Sequence, residues 1–298
     1  MVLAGGSGGA KLARGMLEVV GPDELVVIAN TGDDLEIYGG YVSPDPDLVT
    51  FWLADTIDDR GWGLRDDTFQ VMGGLRALGV DVWFNLGDRD LAVALERARM
   101  LASGERLTRA QAAIGRGLGV ETRVLPMSDN PVRTRVLAHS RWWAFQEFMI
   151  RGRAQGPVED VEFAGARAAA ASPEVLEALA GARAIVLGPS NPVISIGPIL
   201  ALRDLRDQLR ASGAAVVAVS PVVRGQVLKP ATVPFMQWAG HPVTPAGVAA
   251  YYAGVIDGLV CDDPVDGLPI LKTDVLMEGA GGRRRLARET LEFAQSLR

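Results

Sequence analysis

The 298-residue sequence holds one cysteine, Cys261, and two histidines, His139 and His241. A lone thiol excludes a disulfide framework, and two scattered histidines argue against a histidine-rich zinc site. Neither histidine has partners at the spacing of a nucleophile–histidine–carboxylate system, so acyl transfer through an activated serine or cysteine is not visible. Cationic excess is missing too. Lys and Arg number 30 against 36 Asp and Glu, giving a formal charge of −6. A basic nucleic-acid-binding surface is therefore not expected. No apolar run is long enough to span a bilayer. A glycine turn begins at residue 5, before a secretory n-region and h-region could fit. These absences lead to the expectation of a cytoplasmic protein with no membrane and no nucleic-acid partner.

What is present starts at once. Met1-Val2-Leu3-Ala4 is apolar, Gly5-Gly6-Ser7-Gly8-Gly9 follows, and Ala10 to Leu17 reads as an amphipathic helix. A strand, a glycine turn and a helix start place backbone N–H groups around a phosphate. The Gly-Lys-Ser/Thr ending of a P-loop is absent, and Lys11 stands where a dinucleotide fingerprint wants glycine. Alone, the turn says diphosphate or nucleotide. Leu25 to Asn30 is a second strand, and Thr31-Gly32-Asp33-Asp34 lies just past its end. Asn30, Asp33 and Asp34 are expected to face the same crevice as the glycine turn.

Further strands are read at Val82–Leu86, Val120–Pro126, Ala184–Leu187, Ala215–Pro221 and Gly258–Asp262, alternating with helical stretches. The fold class is α/β: a Rossmann-like, doubly wound, mostly parallel sheet in one domain over 1–298. A mixed α+β insertion is expected at about 120–165. Hydrophobic residues make up 48%, enough for such a core.

Three polar loops then bear on chemistry. Gly188-Pro189-Ser190-Asn191-Pro192, extended to Ser195, follows an apolar strand and offers hydroxyl, amide and backbone donors to an anion. With Gly5–Gly9 it can embrace one diphosphate. Ser43-Pro44-Asp45-Pro46-Asp47 carries two carboxylates at i, i+2. In an extended segment both point the same way, as magnesium on a substrate diphosphate or a general base would require. Leu86-Gly87-Asp88-Arg89-Asp90 closes the Val82–Leu86 strand, with Arg89 able to clamp a phosphate or carboxylate.

Together with Asn30-Thr31-Gly32-Asp33-Asp34 and Leu125-Pro126-Met127-Ser128-Asp129, these motifs in this order resemble the 2-phospho-L-lactate transferases and their bacterial phosphoenolpyruvate-transferring members. The resemblance implies transfer of a phosphorylated three-carbon acid from a guanosine-diphosphate carrier to the ribityl hydroxyl of the deazaflavin Fo. GMP is released, magnesium is needed, and the step belongs to coenzyme F-420 biosynthesis. It implies that Gly5, Gly6, Ser7, Gly8, Lys11, Gly188, Ser190, Asn191 and Ser195 bind the donor. Asp47 and Arg89 fall on the deazaflavin positions, and Asp45 and Asp47 are the candidates for metal and base. Trp62, Trp83, Trp142 and Trp143 are candidates to stack on the deazaflavin. A homodimer is expected. The competing reading is a non-catalytic, regulatory UDP-sugar-binding protein of the gluconeogenesis-factor type, which shares the glycine turn and a Gly-Pro loop.

Overall fold

The computed structural model describes residues 1–297. From the N-terminus, β1 (Val2–Ala4) runs into α1 (Gly6–Val20), and β2 (Val26–Ala29) follows. A hairpin of β3 (Leu35–Ile37) and β4 (Gly40–Val42) leads to α2 (Pro44–Leu53), α3 (Gln70–Ala77), α4 (Asp88–Ala102) and α5 (Leu107–Gly117). After β5 (Arg123–Pro126) come β6 (Arg133–Ala138), β7 (Arg141–Ala144), α6 (Phe145–Ile150) and β8 (Val158–Ala164). Next are α7 (Pro173–Ala180), β9 (Ala184–Leu187), a π-helical turn at Pro192–Ile196, α8 (Gly197–Ala201), α9 (Arg203–Ala211) and β10 (Ala215–Val219). A short hairpin, β11 (Val222–Val223) and β12 (Gln226–Val227), precedes α10 (Thr232–Trp238) and α11 (Pro245–Tyr251). β13 (Gly258–Cys261), β14 (Ile270–Lys272) and α12 (Gly279–Ser296) complete the chain as described.

Seven strands form one sheet in the order β14-β13-β10-β9-β1-β2-β5. Every neighbouring pair in it is parallel. Its inner strands β9 and β10 are buried at every residue, as a parallel sheet covered on both faces requires. Alternate residues feed opposite cores. Leu3, Ile28, Ile185, Leu187 and Val216 join one; Val2, Ala4, Val27, Ala29, Val186 and Val217 join the other. The chain fills the sheet outward from β1 through β2 to β5, then returns on the other side through β9, β10, β13 and β14. The order thus reverses between β1 and β9, where an open α/β sheet leaves a crevice at its carboxyl edge.

The doubly wound parallel sheet agrees with the expectation, and three local readings change. Val82–Leu86 is not a strand. Gly79 (φ 81) ends the preceding helical run in a left-handed conformation, and Val82 and Phe84 pack onto Val42, Met72 and Leu91 in a satellite cluster away from the sheet. Pro44–Leu53 is helix, not extended chain. Proline is tolerated in a first helical turn, and Asp45 and Asp47 there suit the helix N-terminus. Finally, Arg123–Pro126 is an edge strand of the main sheet, paired with β2. The antiparallel sheet β7-β6-β8 begins only at Arg133.

Candidate active site

At the carboxyl edge of β1 and β9 two loops meet. α1 begins at Gly6, so Gly6-Ser7-Gly8-Gly9 is its first turn and not a loop ahead of it. The free N–H groups of that turn are the ones that hold anions. A Cβ on Gly8 would lie 1.9 Å from the Pro189 carbonyl oxygen, and one on Gly188 would lie 2.8 Å from Gly9 Cα. Those glycines let the loops touch backbone to backbone. Gly6 differs: its φ is +60°, and a Cβ there would meet only Ser195 Oγ, at 3.7 Å. Its glycine answers the left-handed backbone and leaves room in front of it. Ser190 Oγ latches the two loops, accepting from Gly9 N–H at 3.0 Å and donating to Gly5 O. Asn191 Oδ1 accepts from Val193 and Ile194 N–H and so starts the π-helical turn, while its Nδ2 is buried without a partner. Ser195 lies against Gly5 and Gly6. The nine residues expected around the donor thus divide. Gly5, Gly8, Gly188 and Ser190 hold the loops together, Gly6, Asn191 and Ser195 keep groups or space free, Ser7 takes a hydrogen bond from Lys229, and Lys11 lies over Trp52.

The carboxylates come from β2 and α2. Asn30, just past β2, offers Nδ2 to Asp33 Oδ1 at 3.0 Å and to Asp45 Oδ2 at 2.9 Å. Its Oδ1 accepts from Gly32 N–H at 2.7 Å. Asp45 Oδ1 accepts from Gly6 N–H at 2.6 Å. Asn30, Asp33 and Asp45 are therefore one buried group against the glycine turn, as expected for Asn30 and Asp33. Burial pushes Asp33 well above the ordinary carboxylate range, and the Asp45 charge adds to it. Burial raises Asp45 as well, opposed by Gly6 N–H and Asn30. Asp34 takes a hydrogen bond from Ser43 Oγ at 2.7 Å, and its Oδ2 is buried without a partner. Burial lifts Asp34 to about 7 against the pull of Arg133.

Asp45 and Asp47 face different partners. Two residues apart on a helix, they point to different sides. Asp45 turns to Gly6; both oxygens of Asp47 accept from Arg97, whose Nη1 lies 3.1 Å from Oδ2. Arg97, on α4, is fully buried and also donates to Tyr41 O and Gln111 Oε1. A cation at Asp47 would face that guanidinium, so the carboxylate pair suited to magnesium is Asp33–Asp45. The buried carboxylate oxygens of Asp33 and Asp45 fit a hard divalent ion. Among the described residues no three or more His, Cys, Asp or Glu form a metal-binding group, so such an ion would draw its remaining ligands from substrate or water.

Arg89 is exposed at the start of α4, its Nη1 donating to Arg65 O at 3.1 Å. Its neighbour Asp90 is pushed to about 7 by burial and by the Asp47 and Asp67 charges. The Asp47 and Arg89 motifs are thus joined through Asp90 and Arg97, on a cap built by α2 and α4. Trp62 sits on the same cap, 43% exposed, with Arg60 stacked on its ring and Gly63 approaching Asp90. Trp143 instead packs on Phe148, and Trp83 on Phe84.

Sequence reasoning missed Arg97, Arg133 and Lys229. Arg133 Nη2 donates to Tyr41 Oη at 3.0 Å and faces Asp34. Lys229 is an exposed residue after β12, and its Nζ donates to Ser7 Oγ at 2.7 Å. Burial of its ammonium in the crevice lowers its proton affinity, while Asp45 and Asp33 raise it. Lys11, by contrast, lies over the Trp52 ring at 5.8 Å. No local pattern marks these three, which reach the site across 222 residues in the case of Lys229 and Ser7.

Residues 1–266 match the family described as 2-phospho-L-lactate transferase CofD. The phosphoenolpyruvate transferase of Streptomyces griseus is 37% identical, with 100% of this chain and 99% of the relative aligned. The 2-phospho-L-lactate transferase of Methanosarcina mazei is 36% identical over 88% of this chain and 86% of its own. That of Methanocaldococcus jannaschii is 34% identical over 99% and 98%. A UPF0052-family protein from Bacillus halodurans shares the fold, with a TM-score of 0.61 at 17% identity over 97% of both chains. The matched region contains the two interlocked loops, the Asn30–Asp33–Asp45 group and the Arg97-pinned cap, and on that extent of similarity the chain belongs to the 2-phospho-L-lactate transferase CofD family.

Proposed function

We propose that the protein transfers a phosphorylated three-carbon acid, phospholactyl or phosphoenolpyruvyl, from a guanosine-diphosphate-linked donor to the ribityl hydroxyl of Fo, releasing GMP in coenzyme F-420 biosynthesis. The observation that carries this reading is the meeting of the Gly5–Gly9 and Gly188–Ser195 loops at the sheet's reversal point, directly against buried carboxylates. Family relatives named as transferases favour it over the UDP-sugar-binding alternative.

The donor diphosphate sits on the first turn of α1, with Ser7, Asn191 and Ser195 supplying polar side chains. The acceptor hydroxyl attacks phosphorus in line, and the bond to the diphosphate's bridging oxygen breaks. Such a displacement asks the protein for positioning and charge neutralisation more than for covalent chemistry. Asp33 and Asp45, the latter oriented by Gly6 N–H and Asn30, would hold magnesium, which would supply positive charge to offset that accumulating on the leaving GMP. Asp34, raised to about 7 by burial, is suited to receive the hydroxyl proton near neutral pH. Fo lies toward the α2–α4 cap, between Arg89 and Trp62, with Asp47 held rigid behind them by Arg97. The working form is a cytoplasmic homodimer.

Incubation with Fo, magnesium and the lactyl, enolpyruvyl or glyceryl guanosine-diphospho donor should release GMP, read by chromatography. No GMP from any of the three donors, alongside tight UDP-sugar binding, would overturn the proposal.

A further inference from the structure

We propose that Lys229 is the cation that meets the donor diphosphate, and that it does so by exchanging partners: in the free protein it is the counterion of the Asp33–Asp45 pair, and it gives that pair up to a divalent ion when the diphosphate arrives. The inference rests on the transferase reading above.

The geometry is particular. Lys229 Nζ lies 2.7 Å from Ser7 Oγ, one residue along from Gly6, whose N–H is held by Asp45 at 2.6 Å. The ammonium thus stands over the first turn of α1, where an anion would bind. The charges of Asp45 and Asp33 act on it from one side and Lys11 from another. Lys229 is delivered by an anchored segment. The hairpin before it is fixed where Ser220 Oγ accepts from Val222 N–H at 3.1 Å, and Arg224 N–H donates to the Asp262 carboxylate at 2.5 Å. Lys229 Nζ rests on the Ser7 hydroxyl, within the field of both carboxylates but bonded to neither, so a short swing of its long side chain brings it to a phosphate.

Charge accounting gives the coupling. Two buried carboxylates sharing the Asn30 amide need a positive neighbour. Lys229 serves when nothing is bound. A phosphate on the glycine turn draws the ammonium to itself as a stronger, multiply charged partner. The vacated carboxylates then favour a divalent ion. Diphosphate and metal should therefore bind cooperatively through one side chain, by an amount equal in both directions.

The test uses Lys229→Met, which keeps length and removes charge, with Lys229→Arg as the conservative partner. GDP, guanosine and Mg²⁺ are titrated separately and in pairs by calorimetry, and circular dichroism confirms the fold of each variant. Lys229→Met should lose about 10- to 100-fold in GDP affinity and leave guanosine affinity within about two-fold. Lys229→Arg should recover most of the loss. Without nucleotide, Lys229→Met should bind Mg²⁺ more tightly than wild type, and the mutual tightening of GDP and Mg²⁺ should shrink. Unchanged GDP affinity in Lys229→Met, or Mg²⁺ affinity that falls with the lysine, overturns the exchange while leaving the transferase reading intact. A folded wild-type protein that does not bind GDP removes the donor reading, and this inference falls with it.

Discussion

At Gly8 an added methyl group would sit 1.9 Å from a backbone oxygen of Pro189; at Gly6 it would meet nothing closer than 3.7 Å. The two glycines should therefore fail differently. Gly8→Ala forces two loops apart and should cost about 3 kcal/mol or more, read as a fall in denaturation midpoint. Gly6→Ala pays only the left-handed backbone, about 1–2 kcal/mol, and should fold. Its methyl group occupies the space before the anion-binding turn, so GDP affinity should drop. A Gly6→Ala protein that binds GDP like wild type would show that this space is not the donor site. Asp90 supports a pH prediction. Its folded-state value of about 7 lies above the ordinary 3.8. The native state therefore holds its proton where the unfolded state has lost it, and stability falls as pH rises from about 4 to about 7. Asp90→Asn should gain stability over wild type across that window and hold the gain above it. A difference in midpoint that is flat with pH would contradict the assignment.

Between elements, the strongest tie on the cap joins α2 to α4, where fully buried Arg97 holds both oxygens of Asp47. Removing one partner strands a buried charge. Arg97→Met should cost about 3–5 kcal/mol in denaturant unfolding, and the double variant Arg97→Met/Asp47→Asn should recover much of it. A double variant no more stable than the single would mean that packing, not charge, is at stake. Arg97 also shows where the sequence stops being legible. β1 and its glycine turn, β2 with Asn30 and Asp33, and the loop after β9 were all readable, because periodicity and turn chemistry are local. The α2 start was misread because Pro44-Asp45-Pro46 looks like a turn, although proline and aspartate are also at home in a first helical turn. Val82–Leu86 has strand composition, but its apolar residues are taken up by the Val42, Met72 and Leu91 cluster instead of the sheet. Arg97 and Lys229 look like ordinary surface cations in the sequence. Only tertiary packing shows that one is buried on Asp47 and the other reaches Ser7.

For the whole molecule, the site needs both halves of the sheet, since one loop follows β1 and the other follows β9. A ligand bridging them is bound only by the assembled fold, so it stabilises that fold by mass action. GDP with magnesium at about a hundred times its dissociation constant should add about 2.7 kcal/mol, roughly 5 °C in melting temperature. Chelation of the metal should shrink the shift. No shift at saturating GDP would count against the donor site. The same layout sets a clock on synthesis. β1 lies between β2 and β9, and Met1 pairs with Ala184, 183 residues later. At a translation rate of about 5–20 residues per second, the first strand waits roughly 10–40 s for its second neighbour. Ribosome-arrested chains ending before Ala184 should therefore stay open to protease at β1, with the glycine turn made well before its second loop arrives.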